Sequence, residues 1–487
     1  MSATRKFGIL MLLAGPCLFA SAVHCAAQTY SGTDPGTTLT TLHSFDGTDG
    51  RLSNAGLVQA TNGNLYGTTY YGGAKNSGEL FEISPGGTLT TLHSFCSKSA
   101  CSDGEYTYAV PIQGTDGNFY GTTYLGGSKK LGTVFKITPS GASTALHTFD
   151  GADGSQPLAG LVEGANEDFY GTTYVGGSEG DGTIFKITPS GAFTTLHNFC
   201  SQRGCADGEN PFAVLILGMD GNLYGTTLGG GSAKGFGTVF KITPSGTLTT
   251  LHSFCTQSGC PDGQFPQTGV VQGRNGNLYG TTISGGAYGD GTIFEVTPTG
   301  KLTTLYSVCS QSGCPDGNYL YASLIQATDG NLYGIMDVGG ANGAGTIFKI
   351  TLSGTLTTLY NFCSESGCPD GQYPGGALVQ DTDGNLYGTT ADGGANGDGT
   401  VFSLSVGLRP FVETQPTAAK AGATVKILGT NLTGATSVNF NGKAATFTVV
   451  SSSEVTTAVP AGATTGELQV VTPSGTLSSN LSFRILP

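Results

Sequence analysis

The sequence predicts an all-β protein: a seven-bladed β-propeller closed by its N-terminal strand, followed by a C-terminal β-sandwich. Three observations carry this. A phrase ending in "LYG" or "FYG" recurs with its tyrosine at Tyr66, Tyr120, Tyr170, Tyr224, Tyr279, Tyr333 and Tyr387, spaced 54, 50, 54, 55, 54 and 54 residues apart. Repeats of this length are the mark of propellers and solenoids. Apolar and polar residues alternate between Gly-rich turns, which is a strand pattern with one buried face. The array is also out of frame at its ends by one strand, which a closed ring uses and an open solenoid does not.

The first 27 residues read as a secretory signal. Arg5 and Lys6 precede an apolar run, Phe7 to Val23, broken by Pro16, and the small residues of "SAVHCAAQ" follow. A charged start, a short apolar middle and small residues at the cut define such a leader. Cleavage is expected after Ala27, with Ala22 as the second choice. His24 directly before Cys25 is a poor match to a lipoprotein signal. No later segment is long and apolar enough to anchor the chain, so no membrane span is expected.

Each copy reads as four strands. Around Tyr279, "TGVVQG" is strand A and "NGNLYGTT" is a tight turn plus strand B. The loop "SGGAYGDG" leads to strand C, "TIFEVT", and "PTG" turns into strand D, "KLTTLYSV". Asn-Gly and Asp-Gly pairs suit two-residue hairpins because both residues tolerate positive φ. Four antiparallel strands make a propeller blade. The chain opens on a lone D strand, Thr37 to Phe45, and the last copy has A, B and C without D. The N-terminal strand is therefore expected to complete the last blade, giving a propeller over 37–407.

The unit "DGNLYGTT…GG…GTVFKITPSGTLTTL" resembles the GloVer tandem repeat of secreted (choice-of-anchor) bacterial proteins, over Thr37 to Leu404. Members commonly carry a C-terminal sorting or anchoring segment. Here the chain instead continues into a Thr-, Ala-, Val- and Ser-rich segment, 409–487, with neither cysteine nor "LYG". Its phrases "GTNLTGATSVNFNG" and "VPAGATTGELQVVTPSG" resemble an IPT/TIG domain, which implies an immunoglobulin-like fold serving as spacer or interaction module. Short alternating strands with Gly, Pro and Asn turns agree with a sandwich.

Charged residues are only 11% of the 487, and Gly is 81 of them. Loss of residues 1–27 moves the net charge from −13 to −15. An acidic, Lys-poor exterior repels phosphate backbones and excludes nucleic acid as a partner. Five C-x4-C pairs remain: Cys96–Cys101, Cys200–Cys205, Cys255–Cys260, Cys309–Cys314 and Cys363–Cys368. Two copies lack both members, reading "FDGTDG" and "FDGADG". Loss in pairs, in a secreted chain, points to local disulfides rather than to a metal site.

His43, His93, His147, His197 and His252 fill one slot of strand D, which Tyr306 and Tyr360 fill in later copies. A catalytic histidine would be one of a kind, so these are read as structural. Asp49, Asp103, Asp153, Asp207, Asp262, Asp316 and Asp370 recur as Asp-Gly in the D-to-A loops and are read as turn residues. The alternative is a carboxylate ring near a channel mouth. "DTDGN" at Asp381 to Asn385 bears a faint likeness to a calcium loop but lacks the full set of oxygen ligands. No cofactor, metal or catalytic residue is assigned.

The long D-to-A and B-to-C loops belong to one face, where function is expected. That face offers Tyr70, Tyr71, Tyr124, Tyr174 and Tyr288 as ligand-binding candidates. Tyrosines among Gly, Ser and Asn suit sugars or peptides. The expectation is a secreted, extracellular binding or adhesion protein for a polysaccharide or cell-surface protein. The alternative is an extracellular polysaccharide lyase or glycosidase using a residue that breaks the repeat: Asp337 with a neighbouring acid or Lys129. The other breaks are Lys130, "NED" at Asn166 to Asp168 and "IMDV" at Ile335 to Val338.

Overall fold

A computed structural model describes residues 28–34, 36–231 and 235–487. The expected leader, 1–27, lies outside the described residues. Strand B of the copy around Tyr279, Leu278–Thr282, is buried along its whole length, and strand C, Thr292–Val296, nearly so. Strand D, Leu302–Ser307, is only partly covered, and strand A shrinks to Val271–Gln272. This gradient explains the composition: B and C are covered on both faces and so run as Leu, Tyr, Phe, Ile and Thr. The invariant Gly of "LYG" is forced by packing, because a Cβ at Gly280 would stand 2.6 Å from the Phe294 ring.

Among the described residues, 28–405 form seven antiparallel sheets, six with four strands and one with five. The five-stranded sheet joins the two ends of the array. Thr38–Ser44 pairs with Thr400–Ser405, from Thr38 opposite Ser405 to Ser44 opposite Thr400. A further strand, Gln28–Ser31, covers the outer edge of Thr38–Ser44, which the sequence reading had as the first strand. No sheet closes on itself.

Neighbouring sheets are joined by one repeated aromatic contact. At six junctions the Phe that ends strand D packs on the strand C Phe of the next sheet, and between the fifth and sixth sheets Val308 takes its place beside Phe348. Phe95–Phe135, Phe149–Phe185, Phe199–Phe240, Phe254–Phe294 and Phe362–Phe402 have ring centroids 5.2, 5.5, 5.4, 5.2 and 5.3 Å apart. Phe45, from the strand that completes the last sheet, meets Phe81 of the first at 5.4 Å. Each ring is fully buried, worth about 2–3 kcal/mol in transfer alone.

A second repeated contact is polar. The Gln that ends strand A accepts from a backbone N–H in the A-to-B turn of the preceding sheet. Gln113 accepts from Thr61 (2.9 Å), Gln272 from Met219 (2.7 Å), Gln326 from Arg274 (2.9 Å) and Gln380 from Thr328 (2.9 Å). Glu163 does the same for Thr115. Gln59 of the first sheet accepts from Thr382 of the last (3.2 Å) and donates to its hydroxyl (2.9 Å). In the fourth sheet the position is Leu217 and the latch is missing.

Residues 412–486 form two further four-stranded sheets and a two-stranded parallel pair. The two larger sheets share one core, with Val425, Ile427 and Val455 from one and Val438, Phe440 and Val470 from the other. This unit lies across the A-to-B turns of the repeat. Ser453 donates to the Thr61 carbonyl (3.1 Å), Arg484 to Met219 (2.9 Å) and Asn480 to Gln326 (2.9 Å), and the Phe411 N–H to Thr382 (3.0 Å). Gln415 donates to the Gln113 carbonyl.

Candidate functional site

All five expected cysteine pairs are disulfide-bonded. Each bridge closes the loop between strand D and the Asp-Gly pair. Asp181, Glu209 and the sulfurs of Cys200 and Cys205 lie close enough together to hold a metal ion. Those sulfurs are bonded to each other, so the group offers no thiolate.

The repeated histidines and aspartates turn out to be partners. In each sheet the strand D His or Tyr meets the loop Asp. His43–Asp49 and His147–Asp153 stand at 2.7 Å, His197–Asp207 and His252–Asp262 at 3.0 Å, and His93–Asp103 at 3.3 Å. The Tyr306 and Tyr360 hydroxyls donate to Asp316 (2.8 Å) and Asp370 (2.7 Å). The same carboxylates accept loop backbone N–H groups, as Asp103 does from Ser97 (3.0 Å) and Asp262 from Cys255 (3.1 Å). The aspartates therefore turn outward, toward strand D, and cap their loops. Tyrosine replaces histidine because the slot asks only for a ring carrying a polar atom at its tip.

Both long loops stand at one end of every sheet. A bridge joins them in each copy, from Arg51 with Tyr71 through to Gln372 with Asp392. The residue after the bridge on the D-to-A loop has positive φ in all seven copies: Leu52, Tyr106, Gln156, Asn210, Phe265, Tyr319 and Tyr373. Non-glycine residues hold such a conformation only where surrounding bonds fix it. Tyr106 accepts from the Tyr124 N–H (2.7 Å) and donates to the Ser77 carbonyl of the sheet before (2.9 Å). Leu52 likewise donates to Asp398 of the last sheet (3.3 Å). Because the conformation is repeated seven times, it belongs to the scaffold.

On that scaffold the side chains differ. Tyr70 packs on Tyr71, Tyr106 and Tyr108 with ring centroids at 4.5, 5.1 and 4.3 Å, and Tyr108 meets Tyr124 at 5.8 Å. Five half-buried tyrosines from two adjacent sheets thus form one cluster. Burial and a hydrogen bond to Tyr108 push the Tyr70 hydroxyl well above its ordinary pKa. Arg51 lies over the Tyr71 ring at 5.2 Å. Tyr174 extends the patch beside Phe212, 5.9 Å away. Tyr288 is exposed elsewhere, near strand D residue Tyr306, and does not join the cluster.

Sequence reasoning missed Tyr106, Tyr108 and Phe212, together with Tyr319 and Tyr321, exposed rings stacked 5.7 Å apart. The signal was present in "DGEYTYA" and "DGNYLYA", where every second residue after Asp-Gly is aromatic. Tyr321 leads to an acidic sector. Asp337 occupies the position that Tyr70 and Tyr124 fill in other copies. Burial, then repulsion from Asp392, pushes its carboxyl up to about 6, and burial raises Asp392 too. Asp337 and Lys129 are not brought into contact. Asn166 and Asp168 lie at the opposite end, where they bond each other (2.6 Å) and Lys186 holds Asp168 (3.3 Å). Ile335 and Met336 are core residues.

The model of the Gloeobacter/Verrucomicrobia repeat family matches residues 27–162, 96–272 and 257–450, and the chain belongs to that family. No functionally curated protein matches it. Three solved structures show slight likenesses. An oligogalacturonate lyase from Vibrio parahaemolyticus is 11% identical with a TM-score of 0.48, over 78% of this chain and 96% of that one. A fungal alcohol oxidase of the AA5 family, in complex with copper, is 13% identical with a TM-score of 0.49, over 95% and 100%. A gluconolactonase from Xanthomonas campestris is 12% identical with a TM-score of 0.40, over 65% and 96%. Likenesses this slight carry nothing about activity.

Proposed function

We propose that this is an extracellular binding protein. In this reading the seven sheets are the blades of a propeller closed by its N-terminal strand, and residues 409–487 are an IPT/TIG-type immunoglobulin-like domain. The Phe45–Phe81 contact, the Gln59–Thr382 latch and the Leu52–Asp398 bond support closure, because each repeats between first and last sheet a contact made between sequential ones. Five disulfides fit an oxidising compartment.

The observation that carries the binding reading is the five-tyrosine cluster on the loop face. Half-buried rings held by one another are rigid, so little entropy is lost when a sugar stacks on them. The neighbouring acids and the net negative charge disfavour uronates and favour a neutral polysaccharide. Affinity electrophoresis in gels carrying neutral or acidic polysaccharides tests this. Retardation is expected in a neutral gel and should fall about tenfold in affinity for Tyr70→Ala with Tyr124→Ala. Equal mobility of wild type and variant in every gel would refute it.

The second reading, a lyase or glycosidase, has one observation in its favour. Burial and repulsion from Asp392 raise the Asp337 carboxyl to about 6, so it keeps its proton in mildly acid solution, as a general acid requires. Release of reducing ends or unsaturated products from the retained polysaccharide, lost in Asp337→Asn, would establish that reading instead.

A further inference from the structure

At the opposite end from the loop face, the A strands of the first four sheets and the C-terminal unit line a half-open cleft of about 480 Å³. Ligand sites of small molecules fall in this range. Its wall on the repeat side is mostly apolar, with Val58, Ile112, Val162, Ile216 and Leu217 beside Gln59, Gln113 and Glu163. The missing latch at Leu217 helps make it so, since a hydrocarbon side chain stands there in place of an amide.

Two carboxyls line the cleft, Glu163 on the repeat side and Glu413 opposite. Glu413, on the strand Val412–Gln415 of the C-terminal unit, lines the cleft across from the repeat-side wall. It keeps the accessible surface of an exposed residue, so its side chain faces open space and is not packed against neighbours. No hydrogen bond or ion pair to its carboxyl is found among the described residues. The charged groups nearby do not serve it. Glu163 is held by the Thr115 N–H and hydroxyl. Lys426 reaches the Thr115 carbonyl instead, at 3.4 Å. Asp381, which faces Glu413 across the seam, is a like charge. Desolvation alone pushes the Glu413 carboxyl up to about 7, with no cation to offset it.

A carboxylate with no protein partner, across a cleft from a largely hydrocarbon wall, is complementary to a cation with an apolar body. We propose that this cleft is a binding site for a small organic cation, an alkylammonium whose charged end meets Glu413 and whose chain lies against Ile112, Val162 and Ile216. Neither a neutral alcohol nor a carboxylate of the same length offers that pairing, and since Thr115 holds Glu163, a bare metal ion would find a single free carboxylate. Binding would turn a protonated Glu413 into the carboxylate, so a proton must leave on association below about neutral pH.

The experiment uses the intact chain and three probes of equal length: hexylammonium, hexanol and hexanoate. Isothermal titration at pH 6 should show one saturable site for hexylammonium, at least about tenfold weaker for hexanol and absent for hexanoate. Glu413→Gln should weaken hexylammonium to the level of hexanol. In two buffers of different ionisation enthalpy, the wild type should release a fraction of a proton per site at pH 6, and less at pH 8. Equal affinity of wild type and Glu413→Gln for hexylammonium would overturn the proposal, as would saturable binding without proton release at pH 6. Absence of saturable hexylammonium binding by the wild type would do the same, whatever the variant does.

Discussion

Asp381 sits where three parts of the molecule meet. It opens the A-to-B turn of the last sheet, its neighbour Thr382 takes the latch from Gln59, and Thr382 also bonds Thr430 of the C-terminal unit (3.0 Å). Asp381 is 2% exposed, and its carboxylate accepts from the Thr382 hydroxyl (3.2 Å). Burial, then repulsion from Asp383, pushes its carboxyl from 3.8 up to about 7, despite that bond. The unfolded chain gives up this proton near pH 4 while the folded chain keeps it to about 7. Folding thus binds more protons in between, and stability must fall as pH rises through that window. Each pH unit removes up to ~1.4 kcal/mol, so roughly three units remove about 4 kcal/mol. The contribution is intact below about pH 4 and gone above about pH 7. With an unfolding entropy near 2.1 cal/mol/K per residue, a chain of this size loses about 4 °C in Tm. Asp381→Asn has no proton to lose, so its Tm should exceed that of the wild type by about 4 °C at pH 8 and match it near pH 4. Differential scanning calorimetry of both chains between pH 4 and 8 measures the gap directly. Parallel curves, or a gap that narrows as pH rises, would refute the burial argument.

Two more outcomes follow from the repeated contacts. Gln59→Leu copies the natural Leu217 and strands the N–H of fully buried Thr382, so it should cost about 1–3 kcal/mol in denaturant unfolding. Gln113→Leu, between two sheets adjacent in sequence, should cost as much; a neutral Gln59→Leu beside a costly Gln113→Leu would mean that the array is not closed. Cys255→Ser with Cys260→Ser should lose about 2 kcal/mol, as a loop this short allows. Mass mapping of the untreated wild type should find both thiols bonded to each other, and free thiols there would contradict the disulfide.

The sheets were legible because each strand states its own burial. "LYGTT" and "TIFEV" are covered on both faces in every copy and read so, and the one-strand frame shift announced the pairing of Thr38–Ser44 with Thr400–Ser405. The outer strand Gln28–Ser31 was not legible, because four residues outside the repeat have no phase to compare. The Gln latch escaped notice for a different reason. Gln113 and its partner Thr61 are 52 residues apart, and nothing in either copy alone asks for the bond. The seam with the C-terminal unit is hidden more deeply. Its bonds go largely to backbone carbonyls of Thr61, Gln113, Met219 and Gln326, which any sequence supplies. The strain on Asp381 and Glu413 follows from that docking and from no local pattern.

A repeat protein separates scaffold from site by a simple physical test: a contact needed for the fold must be satisfied in every copy. The His–Asp pairs pass it, since tyrosine takes over where histidine is absent and keeps the bond to Asp316 and Asp370. The seven positive-φ loop residues pass it too, as Leu, Tyr, Gln, Asn and Phe all accept the same strained backbone. These features look like chemistry in one copy and become architecture in seven. What fails the test is local. Position 70 is Tyr in three copies, Asp337 in another, and Leu228, Ile283 or Ala391 in the rest, although the backbone beneath does not change. Position 217 gives up a latch that the other six sheets keep, and the cleft facing Glu413 lies where the latch is lost. Val308, where the other six D strands carry Phe, is a third departure, but it is fully buried. Positions 70 and 217 lie at opposite ends of the sheets and reach the surface, which makes them the places to look for a ligand.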